Sequence, residues 1–233
     1  MINSVLISAI ADLHGHLPQM PKADLTVICG DIFPGEMDKD PDAQGTWFRA
    51  AFLPWVEKNE SQRVILVAGN HDHWIAAHND ELQRDFAPSA GKKLAYLCDS
   101  GMEFKGLKIY GTPWIPTPLR NKAFSLVSDE ELARKYARIP QKLDLLLTHT
   151  VPYDCNHIGF SEKDMLDLGS KELRKAVETR NIRFLVGGHI HETRKRIAHM
   201  DFGNSHTEMA NVACCDNFKQ PFRLPICFTI NIE

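Results

Sequence analysis

The sequence lacks the features of an exported or membrane-spanning protein. It contains no apolar stretch of about 18 residues, so no transmembrane helix is expected. Its N-terminus has no basic region followed by an apolar core and a small-residue cleavage site, so export is not expected either. We therefore predict a cytoplasmic protein with no membrane partner.

Paired cysteines and a strong net charge are also missing. The six cysteines form no C-x-x-C pair and most lie in apolar runs, which is typical of reduced, buried thiols. The formal net charge is −3, so the whole chain has no electrostatic attraction to nucleic acid or to an anionic membrane. No repeat, low-complexity tract or long linker divides the 233 residues, and we expect a single domain over residues 1–233.

What the sequence does contain is a set of short, apolar, β-branched runs that are each closely followed by polar residues. The runs cover residues 5–10, 25–29, 64–67, 143–147 and 184–186. The motifs after them are Asp12-Leu13-His14, Gly30-Asp31, Gly69-Asn70-His71-Asp72, Thr148-His149 and Gly188-His189-Ile190-His191. Such runs are typical of strands buried on both faces, and ligands bind outside the carboxyl ends of these strands. We therefore expect the strands to end at one place.

The remaining elements predict the architecture. Helical patterns cover roughly residues 44–59, 80–86, 129–138 and 170–180, and their alternation with strands predicts right-handed crossover units. Short strands are expected at residues 94–97, 102–104 and 107–110, with a tight turn at Lys105-Gly106, and later at 196–200, 208–212 and 226–232. The predicted fold class is α/β of the α+β type, a four-layer helix-sheet-sheet-helix sandwich of two mixed β-sheets with a dinuclear metal site at the strand ends.

The polar residues of the motifs are metal ligands by type and spacing. Asp12 and His14 lie two residues apart, as do His189 and His191, and such pairs point to the same side of an extended segment. Carboxylate and imidazole together suit divalent Mn, Fe, Co, Ni or Zn, whereas an all-oxygen set would favour Mg or Ca. Asp31 is the candidate carboxylate for bridging two ions.

A pair of ions would be a catalyst for displacement at phosphorus. Ions about 3.5–4 Å apart can share a hydroxide that attacks phosphorus, and they stabilise the displacement from both sides. The leaving alkoxide needs a proton, and His71 is placed next to Asn70 to supply it or to stabilise equatorial oxygens. Taken singly, Asp12 or Asp31 would be a turn residue, but jointly the motifs predict a metal site. Asp72 is expected to orient a ligand rather than to be one.

The order of the motifs, D-x-H, G-D, G-N-H-D, H and G-H-x-H, resembles the calcineurin-like metallophosphoesterase superfamily from Asp12 to His191, which is most of the chain. The resemblance implies a double-sheet sandwich and two divalent metal ions, with Mn²⁺ expected before Fe, Zn, Ni or Co. It also implies roles for the motif residues: Asp12, His14 and His191 hold the first ion, Asn70, His149 and His189 hold the second, Asp31 bridges them, and His71 is the catalytic imidazole.

Within that superfamily, three segments resemble the small single-domain branch that includes the mammalian metallophosphoesterase-domain proteins. They are Gly111-Thr112-Pro113-Trp114, Thr148-His149-Thr150-Val151-Pro152 and Gly188-His189-Ile190-His191-Glu192. The bridging position is followed by Ile32-Phe33-Pro34-Gly35, without the Asp-Arg-Gly continuation of Ser/Thr protein phosphatases, which disfavours a protein phosphatase. Both histidines of G-H-x-H are present, so the resemblance implies an active metal-dependent phosphoesterase.

The substrate is predicted only by class. Phosphomonoesters carry nearly two negative charges and are usually met by arginines, yet no arginine lies in or beside the motifs before Arg194. This favours a phosphodiesterase for cyclic nucleotides or other small diesters. The alternatives are a phosphomonoesterase, a nuclease, which Arg194-Lys195-Arg196 favours only weakly, and a non-catalytic, metal-stabilised binding or scaffold protein. Candidate substrate contacts are His16, His73, Trp74, Trp114 and Arg194.

Overall fold

The computed structural model describes residues 4–118, 121–161, 165–193, 196–202 and 205–232. The strands are β1 (Ser4–Ile10), β2 (Leu25–Cys29), β3 (Arg63–Val67), β4 (Leu94–Tyr96), β5 (Ser100–Phe104), β6 (Leu107–Thr112), β7 (Ile115–Pro116), β8 (Ser125–Leu126), β9 (Lys142–Thr148), β10 (Phe160–Ser161), β11 (Leu166–Asp167), β12 (Asn181–Gly187), β13 (Ile197–Phe202), β14 (Ser205–Asn211) and β15 (Ile226–Asn231). The α-helices are α1 (Pro41–Trp47), α2 (Leu53–Lys58), α3 (His73–Ala77), α4 (Asn79–Asp85), α5 (Asp129–Tyr136) and α6 (Lys171–Glu178).

Two mixed sheets form the centre of the fold, as predicted. The first has the order β15-β1-β2-β3-β4 and is parallel except for β15, which pairs antiparallel with β1. The second has the order β13-β14-β12-β9-β6-β5, with antiparallel pairs at its two edges and parallel pairs between them. Two small sheets, β7-β8 and β10-β11, lie in the connections.

The buried side chains form three clusters that correspond to a sandwich with helices outside both sheets. The central cluster contains Ile7 and Val27 of the first sheet together with Leu145 and Val186 of the second. One outer cluster joins the first sheet to the helical segment that contains Phe48, and another joins the second sheet to α5 and α6. The helix-sheet-sheet-helix prediction is therefore confirmed. Because the central cluster is shared by both sheets, it supports the single-domain organisation that we propose for residues 1–233.

The helix predicted at residues 44–59 begins earlier and is not uniform. It consists of α1, a π-helical segment over Phe48–Phe52, and α2, which ends at Lys58. Its start follows from Asp40 and Pro41, because the Asp40 side chain accepts a hydrogen bond from the amide of Ala43 and proline is favoured in the first helical turn. The apolar periodicity on which the prediction relied begins only after this cap.

The turn predicted at Lys105-Gly106 joins β5 and β6 directly. Both residues have positive φ, 48° and 87°, and Phe104 is paired with Leu107. A two-residue hairpin turn of this type matches the right-handed twist of the flanking strands. The predicted hairpin is therefore confirmed.

Parallel pairing brings the carboxyl ends of the strands together within each sheet. In the first sheet, Ile10 at the end of β1 pairs with Ile28, and Cys29 at the end of β2 pairs with Val67 of β3. In the second sheet, β9 and β12 run parallel in the same way. The motifs that follow these strands are consequently placed at one edge of the sandwich.

The composition predicts mostly buried thiols and no transmembrane helix. All six cysteines are free thiols, and five of them are buried, with Cys227 exposed. None of the helices in the described ranges combines the length and the apolar character needed to cross a lipid bilayer.

Candidate metal centre

The backbone at the strand ends adopts a conformation that non-glycine residues rarely use. Asp12, His14, Asp31 and His189 all have positive φ values, of 56°, 43°, 55° and 70°. The left-handed region costs about 1–2 kcal/mol per residue, and such strain persists only where surrounding contacts hold it. Here the amide of Asp12 donates to the carbonyl of Gly30, and that of His14 donates to the carbonyl of Asp31. The two loops therefore fix each other and turn their side chains toward a common space.

Two motif positions are glycine, which leaves room for the side chains that turn toward this space. A Cβ at Gly69 would overlap the Asp31 carboxylate and the His149 ring, and one at Gly188 would overlap the Asp12 carboxylate. Only glycine allows the backbone to approach so closely.

The first group of converging side chains is Asp12, His14 and His191. Their ligand atoms all lie within 4.8 Å of one another. Nε2 of His191 is 3.0 Å from Oδ1 of Asp12, while its Nδ1 donates to the carbonyl of Asp216 at 2.9 Å. This second bond orients the ring so that Nε2 faces the group.

The second group is Asp12, Asp31 and His149, whose ligand atoms also lie within 4.8 Å of one another. Nε2 of His149 is 3.5 Å from Oδ1 of Asp31 and 2.9 Å from Oδ1 of Asn70. Nδ1 of His149 donates to the carbonyl of Cys29 at 2.7 Å. As with His191, a backbone carbonyl therefore orients the ring so that Nε2 faces the carboxylate.

His189 completes the predicted set from the end of β12. Its ring centroid lies 5.0 Å from that of His149, and its amide donates to Oδ2 of Asp12 at 2.9 Å. The structure thus brings together the residues predicted as ligands from the sequence: Asp12, His14, Asp31, Asn70, His149, His189 and His191.

The surroundings of His14 fit a metal ion. Both ring nitrogens are buried and have no hydrogen-bond partner among the described residues. Nε2 of His14 is 4.0 Å from Oδ2 of Asp31, which is beyond hydrogen-bond range. A buried polar atom without a partner costs about 1–3 kcal/mol, and coordination of a divalent ion would remove that cost. The mixture of carboxylate, imidazole and amide donors also matches borderline divalent ions.

Burial keeps two of the imidazoles neutral. It lowers the pKa of His14 to about 4 and the pKa of His189 to about 3, because desolvation disfavours the charged ring. Neutral imidazole is the form that binds metal ions, so both rings are ready to coordinate at neutral pH.

The other two imidazoles are paired with the carboxylates. Burial lowers the pKa of His149 and of His191, but Asp31 and Asp12 outweigh it and raise each pKa to about 9. Burial likewise raises the carboxyl pKa values, and the imidazoles reverse this, so the pKa of Asp12 is lowered and that of Asp31 lies well below its ordinary range. Both carboxylates are therefore ionised, and metal binding would release the imidazole protons.

His71 lies beside this centre and is held by two carboxylates. Its amide donates to Oδ1 of Asp31 at 2.8 Å, and its Nδ1 donates to Oδ2 of Asp38 at 2.6 Å. Nε2 faces the centre, 4.0 Å from Oδ2 of Asp31. Sequence reasoning missed Asp38, which follows a short 3₁₀ turn at Gly35–Met37 and belongs to none of the motifs.

Two lysines, also missed from the sequence, supply positive charge next to the pair formed by His71 and Asp38. Nζ of Lys122 lies 3.2 Å from Nδ1 of His71 and 3.8 Å from Oδ2 of Asp38. Nζ of Lys219 lies 3.3 Å from the same Asp38 oxygen. The sequence argument about arginines beside the motifs does not include these lysines, because they come from segments distant from the motifs.

Asp72 binds backbone amides, as expected of an orienting residue. Oδ2 accepts hydrogen bonds from the amides of Asp31 and Gly69 at 3.0 and 2.7 Å, and Oδ1 accepts one from Ile32 at 2.9 Å. The Asp72 side chain is fully buried. It therefore joins the loop after β2 to the loop after β3 and fixes the backbone that carries Asp31.

Replacing Asp72 with asparagine should destabilise the metal-free chain by about 2–4 kcal/mol, because the amide group offers one acceptor and places an NH₂ against amide donors. Urea unfolding measures this loss. The exposed Glu103→Gln variant is the matched control and should stay within about 0.5 kcal/mol of the wild type. Equal stability of the two variants would contradict the role given to Asp72.

The two histidines predicted to contact substrate lie in the segments that carry the first and third motifs. Nε2 of His16 donates to the carbonyl of Lys219 at 3.0 Å, which ties the loop after β1 to the loop before β15. His73 begins α3 directly after the third motif. Burial and the nearby Lys122 lower its pKa.

The two tryptophans predicted to contact substrate, Trp74 and Trp114, both contact other side chains. Trp74 is 5% exposed and its ring centroid lies 5.1 Å from that of Phe48, so it belongs to the outer cluster of the first sheet and offers little surface to a substrate. Nε1 of Trp114 donates to Oδ2 of Asp99 at 2.9 Å. Arg194 lies outside the described residues.

Known proteins resemble this chain over most of its length. A model of the calcineurin-like phosphoesterase family matches residues 6–193. A UPF0046 protein of Caenorhabditis elegans is 32% identical over 252 residues, which cover 98% of this chain and 82% of that protein. Human metallophosphoesterase domain-containing protein 1 is 29% identical over 245 residues, covering 93% of this chain and 68% of that protein.

A solved crystal structure shares the fold. It matches with a TM-score of 0.57 at 13% sequence identity, over 99% of this chain and 100% of the other.

Proposed function

Because this chain belongs to the calcineurin-like phosphoesterase family, we propose that it is a metal-dependent phosphoesterase that hydrolyses phosphodiesters such as cyclic nucleotides or other small diesters. The observation that carries the proposal is the convergence of buried carboxylates and imidazoles at the strand ends, with a His14 ring whose nitrogens have no other partner among the described residues. The substrate that we propose is a small molecule, and nucleic acid is not favoured.

We assign two divalent ions to this centre, with Mn²⁺ as the first choice. Asp12, His14 and His191 would hold one ion, and Asn70, His149 and His189 would hold the other. Asp31 lies between the two sets, with one oxygen toward His149 and the other toward His14. Bound ions would supply an activated water and neutralise charge on the phosphoryl oxygens.

We propose that His71 transfers a proton. Its Nε2 faces the centre, and the Asp38 carboxylate on Nδ1 orients the ring. A protonated His71 can donate from Nε2 to the oxygen of the leaving group, which would otherwise depart as an unstable alkoxide. Asp38 acts through His71 and is therefore a positioning residue.

A phosphomonoesterase is the second candidate, and the two lysines favour it. Monoesters carry more negative charge than diesters and need more positive charge in the site. Lys122 and Lys219 provide two ammonium groups, but both lie against the single carboxylate of Asp38. Part of their charge is thus already compensated, which supports the diester as the first choice.

The test is hydrolysis of a bis-aryl phosphodiester against the matching aryl monoester. The protein is first stripped with a chelator, then reconstituted with Mn²⁺, and the chelator-treated sample is the control. We expect activity only after reconstitution, with a higher kcat/KM for the diester.

Other outcomes would indicate a different function. A higher kcat/KM for the monoester would assign the protein to the phosphatases. Cleavage of DNA or RNA with binding that weakens as salt rises would indicate a nuclease. Metal binding without hydrolysis of any of these substrates would contradict the enzyme and support the scaffold alternative.

A further inference from the structure

A second group of metal-binding side chains lies away from the centre, on the hairpin formed by β13 and β14. His199 is paired with Glu208, and Asp201 is paired with His206. Alternate residues of a strand point to the same face of a sheet, so these side chains share one face. Their neighbours Ala198 and Met209 point to the opposite face and belong to the outer cluster of the second sheet.

The geometry of this group suits a single ion. The ligand atoms of His199, His206 and Glu208 all lie within 4.8 Å of one another. The two imidazole rings are nearly parallel, at 11°, with centroids 6.0 Å apart. A zinc ion with bonds of about 2.0–2.1 Å joins atoms up to about 4 Å apart, so the side chains need to turn only slightly. His199 and His206 are exposed, which leaves them free to do so.

A separate observation concerns the orientation of His206. Its Nδ1 donates to Oδ1 of Asp201 at 2.7 Å, which leaves Nε2 as the unprotonated, metal-binding nitrogen of the neutral ring. A carboxylate on the far nitrogen of a histidine is the arrangement that orients histidine ligands in metal sites. Asp201 thus has the position of the supporting group and not of a ligand.

From this arrangement we propose a divalent metal site on the β13-β14 hairpin, distinct from the centre at the strand ends. Two imidazoles and one carboxylate favour Zn²⁺ and similar borderline ions, and three protein ligands leave a coordination position open to water or to another donor. The ion would connect the edge strand β13 to β14. The proposal does not depend on the proposed phosphoesterase activity.

The test measures Zn²⁺ bound per chain, by equilibrium dialysis and elemental analysis, for the whole chain of 233 residues. The His199→Gln/His206→Gln double variant should bind one Zn²⁺ fewer than the wild type. The His157→Gln variant, which removes an exposed histidine elsewhere, should match the wild type. Equal stoichiometry of the double variant and the wild type would overturn the proposal.

A spectroscopic measurement distinguishes this site from the proposed phosphoesterase centre. In ¹H–¹⁵N spectra of the imidazole groups, the His199 and His206 signals, assigned from the single variants, should shift on addition of Zn²⁺. Asp201→Asn should weaken binding at this site by about 10–100-fold, whereas a purely surface hydrogen bond predicts no change. Ring signals that remain unshifted at saturating Zn²⁺ would refute the site, whatever the activity with Mn²⁺.

Discussion

The Asp31→Asn variant should lose at least about 10³-fold in kcat/KM for phosphoester hydrolysis, equivalent to about 4 kcal/mol of transition-state stabilisation. Asp31 is 1% exposed, and its oxygens face His149 on one side and His14 on the other. Asparagine keeps the shape but removes the negative charge that we assign to both ions, and it replaces one acceptor with an NH₂ group. We therefore expect the variant to retain fewer than two ions per chain.

The Asp31→Asn experiment combines steady-state kinetics with metal analysis of the same samples. Asp144→Asn is the control, because Asp144 is a half-buried aspartate that is paired with Arg183 and belongs to none of the motifs. The control should keep wild-type metal content and activity. A fully loaded, fully active Asp31→Asn variant would show that Asp31 does not bridge.

The second large effect is expected for His71→Gln, which should lower kcat by about 10²–10⁴-fold, the usual contribution of general acid–base catalysis. Unlike Asp31, His71 is not assigned as a ligand, so metal content should remain at the wild-type value. The backbone amide of residue 71 still donates to Asp31, so the loop geometry is preserved in the variant.

Substrates whose leaving groups differ in pKa make this test more specific. Aryl leaving groups of low pKa depart without a proton, whereas alkyl groups need one, so the loss in His71→Gln should be largest for poor leaving groups. His78→Gln is the control, since the His78 ring stacks on Trp74 outside the centre. A uniform loss over all leaving groups would argue against proton donation by His71. No loss at all would show that His71 takes no part in catalysis.

Much of the fold could be predicted because strong local patterns coincide with the tertiary structure. The apolar runs of β1, β2, β3, β9 and β12 are buried by both layers around them, so their pattern is continuous and easily found. The helix that begins at Pro41 was predicted to begin only near Gln44, because Pro41 and Asp42 are exposed and the start is marked by a cap instead of apolar residues. Helix boundaries depend on such single residues, and element types depend on whole segments.

The candidate site also contains residues that the sequence predicts and residues that it does not. Its motif residues are contiguous with strands, so spacing and resemblance could identify them. Asp38 and Lys122 contact His71, and Lys219 contacts Asp38, from three separate loops. No local pattern distinguishes these residues from other charged surface residues. Trp74 shows the opposite case, because a tryptophan after a motif looks available to a substrate until the packing against Phe48 is known.

The central cluster between the sheets has a consequence for the chemistry. Asp31 and Asn70 follow strands of the first sheet, and His149 and His189 follow strands of the second. The distance of 3.5 Å between Asp31 and His149 therefore depends on how the two sheets are aligned. The packing of the central cluster, which includes Val27 of the first sheet and Leu145 of the second, sets that alignment. Sliding of one sheet over the other is thus the same degree of freedom as opening or closing the gap between the two halves of the site.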